Sequence, residues 1–467
     1  MPRMAMGKRR ATRQTAIWIA TSDLPTPAAH PFYHRLNALL TKAEFDAFVE
    51  GRCVGFYAAT MGRPSLAPAV YFRLLLIGYF EGIDSERGIA WRAADSLALR
   101  EFLSLGLDET PPDHSTISRT RRLIDLETHQ AVFTWILERV AEAGLLKGKT
   151  LGVDATTLEA NAALRSIVRR DNGDTYQEFL TKLAQASGVA TPTREDLARV
   201  DRKRKKKGSN DDWTHPHDPD ARITKMKDGR THLAHKAEHA VDLESGAVVA
   251  VTIQPADRGD TDSGVDTVLT ALDELDAVQP DGDDDREIVA DKGYHSTDRV
   301  SDWEGIGLRT YISEPKRGRR RWHGQTALRD AVYRNRRRIR GRRGQELLRR
   351  RGEYLERPNA HLYETGALRR THLRGHTNIL KRVLIHTGGF NLGLIMRQMI
   401  GVGTPRGLQG RVAAVIALLL AFLSGVRRRS ALTRASLPLH TITRGWATTP
   451  TTLIVHSSAA ATCTTGC

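Results

Sequence analysis

Residues Glu287–Ser296 read EIVADKGYHS, and the fold turns on how Asp291 in this stretch is understood. Three apolar residues, Ile288 to Ala290, run straight into Asp291, followed by Lys292, Gly293 and Tyr294. Such a carboxylate has two readings. Asp and Gly favour turns and caps, so Asp291 can simply end the strand. Alternatively it is aimed at a metal ion from the rim of a sheet. One segment does not decide between them; partners elsewhere in the chain do.

On either side of it, alternating strand and helix patterns fill the chain from Thr150 onward. TLGVDATTLEA reads as a strand with Asp154 inside it. THLAHKAEHAVDLESGAVVAVTIQPAD reads as two strands joined by a turn at Glu244-Ser245-Gly246. SGVDTVLTALDELDAV has helical spacing, EIVADKGY is the next strand, STDRVSDWEGIG is a capped helix, and LRTYISEP is a strand ended by Pro315. The order strand, strand, strand, helix, strand, helix, strand, helix implies an α/β layer architecture. A polar insert near 162–219, including DRKRKKKGSNDDWTHPHDPDA, interrupts it and reads as a mobile excursion.

Upstream, from Leu66 to Leu123, the pattern is helical. PAVYFRLLLIGYFEG is densely apolar at spacings of three and four, preceded by Gly62, Pro64 and Pro68 and closed by Gly82. TPPDHSTISRTRRLID then places Asp113 or Ser115 as a cap ahead of Ile117, Arg119, Arg121 and Arg122. A short capped helix with basic residues resembles the recognition helix of a helix-turn-helix; a plain surface helix is the bland reading.

The formal charge of the 467 residues is +17, and it is uneven. Lys316–Arg351 holds 16 Lys or Arg against two acids, with Arg336, Arg337 and Arg338 at its centre. Such a block is a solvated face or a phosphate-binding surface, because neutralising phosphates releases counterions. Three cysteines, Cys53, Cys463 and Cys467, form neither a zinc-finger spacing nor a disulfide framework, which suits a reducing cytoplasm. The apolar run Val412–Ser424 has 13 residues, short of the ~18 needed to span a membrane. The tail 401–467 loses periodicity and is expected to be poorly ordered.

Asp154 sits in the first strand of the α/β segment and Asp291 at the end of the fourth. If those strands lie side by side, both carboxylates face one patch, and Glu356, in RGEYLERPNAHL, is placed to complete a cage. A lone acid is more often solvated or paired with arginine. Like charges held together need a cation, and Mg²⁺ suits hard oxygen ligands. Two such ions about 4 Å apart would activate water or a 3′-hydroxyl for phosphodiester transfer.

From about Ala16 to Met399 the chain resembles DDE-type transposases of bacterial insertion sequences, in the branch with a helical N-terminal domain before a ribonuclease-H-like core. HPFYHRLNALL, RPSLAPAVYFRLLLIGYFEGIDSERGIAWRAADSLALREFL and PPDHSTISRTRRLI resemble its N-terminal region. GVDATTLEANAA and VADKGYHS are similar to its two aspartate motifs, and ERPNAHLYETGALRRTHLRGHTNILKRVLIHTGGFNLGLIMR to its glutamate helix and the segment beyond that helix. The resemblance implies an α/β fold: a ribonuclease-H-like mixed sheet over 149–400, an all-α DNA-binding region over 61–135, and an N-terminal segment over 1–60. It implies cleavage of element ends and strand transfer into target DNA, with Asp154, Asp291 and Glu356 as the catalytic metal ligands. Two Mg²⁺ ions, or Mn²⁺, are the implied cofactor. Arg357, Arg369 and Arg370 fall in the glutamate motif as phosphate contacts. Double-stranded DNA, both terminal inverted repeats and target, is the implied partner of a homodimer in the bacterial cytoplasm, at the nucleoid and away from membrane. A catalytically decayed DNA-binding copy and a nuclease without strand transfer are the alternatives. Pro358 and Asn359 stand where the family carries a small residue and an aromatic, so either the helix starts near Glu356 or it runs through from about Gln345 with its angle disturbed by the proline, with Glu353 as the reserve third acid.

Overall fold

The computed structural model describes residues 30–58, 65–204, 208–226, 229–280, 282, 285–316, 318 and 320–408. Seven helices come first: α1 (Pro31–Lys42), α2 (Phe45–Cys53), α3 (Pro68–Glu81), α4 (Glu86–Asp95), α5 (Leu97–Phe102), α6 (His114–Leu123) and α7 (Leu126–Glu142). Proline at the first turn opens α3, and Gly82, at φ 67°, closes it in the left-handed conformation that a glycine adopts without steric cost. Ser85, Ser96, Asp113 and Asp125 each cap the helix after them with a side-chain oxygen.

The sheet comes next. β1 (Thr150–Glu159) leads into an insert containing β2 (Val168–Arg169), α8 (Tyr176–Ala186), α9 (Arg194–Lys203) and β3 (Trp213–Thr214). Then come β4 (Arg222–Lys225), β5 (Thr231–Asp242), β6 (Val248–Pro255), α10 (Asp260–Val278), β7 (Glu287–Ala290), α11 (Thr297–Gly305), β8 (Arg309–Ile312), α12 (Thr326–Arg340), α13 (Arg342–Asn359) and α14 (His376–Ile400). β4 and β6 both pair with β5, which pairs antiparallel with β1; β1 pairs parallel with β7, and β7 parallel with β8. The expected order of strands and helices is therefore present, as a ribonuclease-H-like mixed α/β sheet.

The insert is not the structureless excursion that its composition suggests. Trp213, Ile167, Ala221 and Leu233 are buried in a small core of their own, with Tyr176 and Phe179 against it. α8 and α9 are both opened by a capping box, Thr175 with Glu178 and Thr193 with Asp196. The basic block is likewise ordered over much of its length, as α12 and most of α13.

The N-terminal helices do not form a core separate from the sheet. α14 is buried over most of its length between α3, α7 and β6. Its Asn391 amide satisfies both backbone groups of Val248, receiving the N–H at 3.0 Å and donating to the carbonyl at 2.8 Å. On its other side Lys381 donates to the carbonyls of Arg121 and Ile124, and Arg382 to that of Ile83. Apolar residues of both regions form one continuous cluster. Within the expected tail, Arg406 donates to the Glu81 carbonyl at 2.8 Å; residues 409–467, with Val412–Ser424, Cys463 and Cys467, lie outside the described residues, as do residues 1–29 of the N-terminal segment.

Candidate active site and nucleic-acid interface

β1 is buried from Thr150 to Val153 and only partly buried from Asp154 to Thr157, so Asp154 marks where the strand leaves the interior. The parallel register pairs Gly152 with Val289. The pairing ends there, and Asp154 and Asp291 each lie two residues beyond it on the adjacent strands. Asp291 then does what a capping aspartate does: its Oδ1 accepts the Gly293 N–H at 2.8 Å. The capping reading of that residue holds, and the cap fixes one carboxylate oxygen at the strand's rim. A Cβ on Gly293 would come within 2.6 Å of Asp260 Oδ2 and 3.0 Å of Asp291 Oδ1, so glycine keeps that rim clear.

Asp154, Asp260 and Asp291 line one cavity of about 450 Å³, together with Lys236 and Arg258. Asp154 also lines an adjoining cavity of about 270 Å³, whose other walls include Glu356, Glu364 and Arg369. Asp154 is therefore common to the two spaces that hold the other two expected acids. Its Oδ1 accepts from Arg351 at 2.9 Å, and the same guanidinium donates to the Val153 carbonyl.

Glu356 is carried by α13, which lies against β1, β7 and β8. Arg343 anchors the start of the helix to buried Glu287 at 2.7 Å, and Arg351 fixes its middle to Asp154. Leu347 and Leu355, on the same face, are buried. Of the two expected arrangements the structure has the second: the helix does not start at Glu356 but runs from Arg342 through Pro358 and passes into a π-helical turn over Ala360–Thr365. Proline cannot supply the backbone donor that a regular turn needs, and the change of helix type falls directly after it. Glu353 pairs with Arg357 on the exposed side of the helix and lines neither cavity.

Behind the strand ends lies a buried polar layer that the motifs of the sequence do not single out. Tyr294 of the aspartate motif donates to Glu238 Oε1 at 2.6 Å, and Ser263 and Thr267 donate to the same carboxylate. Burial raises the affinity of Glu238 for its proton and raises that of Tyr294, with the Glu238 charge adding to the latter. Lys236 donates to Asp260 at 2.5 Å and to Ser263. The alternation of β5, which puts Lys236 and Glu238 on one face, is the available signal.

Among the described residues no three His, Cys, Asp or Glu side chains are gathered closely enough to hold a metal ion. The chemistry of the donor set nevertheless suits a hard divalent cation: carboxylate oxygens of Asp154, Asp291 and Glu356 open on adjoining cavities, and Gly293 keeps side-chain atoms off the rim beside Asp291.

The basic residues separate by environment. Arg119 and Arg122 are exposed on α6 and bond back to their own helix. Arg121 is buried, paired with Glu86 at 2.8 Å and bonded to Asn378, so it holds α6 to its neighbours and is not presented to DNA. The connection from α5 to α6 spans residues 103–113, longer than a helix-turn-helix turn. On α12, Arg336 forks onto Glu314 and Arg338 reaches Glu304, while Arg337 is exposed. Arg357, Arg369 and Arg370 are exposed, and Arg369 lines the cavity of Glu356.

Two family comparisons match. Residues 24–123 match a Transposase domain (DUF772), and residues 200–390 match a Transposase DDE domain. The chain belongs to the DDE-type transposases. The second match contains Asp291 and Glu356 and begins after Asp154. No curated protein and no solved structure matches the chain. Membership makes this transposase a DNA-acting protein of a family that generally uses divalent metal ions, and among its described residues no helix is long and apolar enough to cross a membrane.

Proposed function

We propose that this transposase cleaves phosphodiesters at the ends of its own element and joins the freed 3′-hydroxyl to target DNA. Asp154, Asp291 and Glu356 would hold the divalent ions, two Mg²⁺ with Mn²⁺ as a substitute. That Asp154 lines one cavity with Asp291 and an adjoining one with Glu356 is the observation that supports this reading. Metal bound there would supply an activated water and stabilise the leaving oxygen.

The chain's own groups do the rest. The Gly293 N–H fixes one Asp291 oxygen and leaves the other for a ligand. Arg351 supplies the counter-charge to Asp154, a place for which a cation competes. Arg369, on the rim of the Glu356 cavity, is positioned to hold a phosphate by its paired N–H groups. Arg119, Arg122, Arg337, Arg357 and Arg370 extend the basic surface for duplex DNA, and a homodimer would bring two ends together.

The test is end joining. Labelled duplexes carrying the element's terminal repeats are incubated with the full chain, a target plasmid and Mg²⁺. Covalently joined product is expected. Cutting without joining would indicate a nuclease, and binding without cutting a decayed copy; either result contradicts the proposal.

A further inference from the structure

β1 does not end in solvent. The Glu159 N–H donates to the Arg369 carbonyl at 3.0 Å, and the Thr371 N–H donates to the Glu159 carbonyl at 3.0 Å. Residues 369–371 thus run beside the strand as a short extended segment, bridged to it in parallel. Successive side chains of extended backbone leave opposite faces. Arg369 accordingly lines the cavity of Asp154 and Glu356, while Arg370 lines a different one, of about 610 Å³.

This second cavity lies where the folded insert meets the end of β1 and the turn before α14. Its chemistry is set by Glu159, His215, His217, His232, Arg370 and Arg374. Two guanidiniums and three imidazoles face a single carboxylate, and Glu159 lies 3.8 Å from both Arg370 Nε and His232 Nδ1. The wall is fixed in place. Asp218 of the insert is fully buried, bonds His235 at 3.2 Å and accepts the Gly375 N–H at 3.1 Å. Asp220 accepts the His376 N–H at 3.1 Å. The lining contains no Phe, Tyr or Trp on which a base could stack, but it has planar arginine forks that match a phosphate.

We propose that the insert cavity binds a backbone phosphate of the DNA strand whose neighbouring phosphodiester lies at the Asp154 site. Arg369 and Arg370 are consecutive, so one short segment addresses the reacting phosphate and the next phosphate along the strand. The insert then serves as the outer wall of the DNA path. This rests on the reading of the chain as a DNA-cutting transposase.

The measurement is the salt dependence of binding by the full chain to a fluorescein-labelled duplex, read by anisotropy across a potassium chloride series. The double variant Arg370→Gln/Arg374→Gln is expected to lower the slope of log affinity against log salt by about 0.9, for the one phosphate no longer neutralised. Arg370→Gln alone, at an exposed position, is expected to lower it by about 0.9 and serves if the double variant does not fold. Arg309→Gln, an exposed arginine paired with Asp285 at the start of β8, removes equal charge and is expected to leave the slope unchanged. An unchanged slope in the Arg370 and Arg374 variants, or an equal fall with Arg309→Gln, overturns the proposal and leaves the transposase reading standing. A wild-type chain that binds no duplex overturns both. Calorimetric titration with inorganic phosphate covers the remaining source of the same chemistry. Saturable phosphate binding that disappears in the double variant, with the DNA slope unchanged, assigns the cavity to free anion and also overturns the proposal.

Discussion

Arg336, Arg337 and Arg338 are consecutive in sequence and do different things. Arg336 meets Glu314 through two nitrogens, at 2.5 and 2.6 Å, and this pairing holds its proton more firmly than usual. Replacing it removes a two-point ion pair from a partly buried carboxylate. Arg336→Ala is expected to cost about 1–2 kcal/mol of stability, and Arg337→Ala no more than about 0.5 kcal/mol. Thermal denaturation of the two variants checks this; equal losses contradict it. Arg337→Ala should instead weaken DNA binding, with a salt slope lower by about 0.9. The difference is not legible in the sequence, where all three are one charge run, because Glu304 and Glu314 reach them only through the folding of α11 and β8 against α12. Asp154 and Asp291 are legible, since each ends or interrupts an apolar strand. Arg351 and Asp260 are not: nothing in their local setting points at a residue nearly 200 positions away or at the rim glycine.

α10 and α7 illustrate a coupling between elements with a measurable pH signature. Glu274 on α10 accepts the Thr134 hydroxyl of α7 at 2.8 Å. Burial, aided by the Asp273 charge, raises its pKa from 4.5 to about 7. A carboxyl whose folded pKa is raised favours folding least when it is ionised. The penalty is absent below the ordinary carboxylate pKa, grows as pH rises from about 4.5, and is complete above about 7. Glu274→Gln keeps an acceptor for Thr134 and is expected to stabilise the chain by about 1–3 kcal/mol at pH 8, after allowance for solvent screening, with no gain at pH 4. Denaturant unfolding at the two pH values reads it; a gain at pH 4 as large as at pH 8 contradicts it. Elements with strong periodicity, such as the β5–β6 hairpin and α10, can be read directly from the sequence. The insert cannot. Its core joins Ile167 and Trp213 to Leu233 of β5, residues far apart in the chain, and its longest charged stretch around Trp213 carries no hydrophobic signal.

For the chain taken together, α14 decides the architecture. Its Lys381 and Arg382 donate to carbonyls of the helical region, and its Asn391 completes the edge strand β6. The sequence suggests a DNA-binding region and a catalytic region as separate bodies, because the texture changes near Thr150. What joins them is a helix more than 200 residues later, buried on several sides and therefore without a one-sided apolar stripe. α13, packed against β1, β7 and β8 of the sheet, in turn sets Glu356 on a cavity that Asp154 also lines.

Whether Asp154, Asp291 and Glu356 form one metal-dependent cleavage site is decided by Mg²⁺-dependent cleavage of DNA carrying the element's ends. The variants are Asp154→Asn, Asp291→Asn and Glu356→Gln, beside Glu353→Gln, with duplex binding measured for each. The first three are expected to bind DNA and not to cleave it, while Glu353→Gln cleaves as the unaltered chain does. Full cleavage by Asp291→Asn, or loss of cleavage in Glu353→Gln with Glu356→Gln still active, would contradict a site built from these three acids.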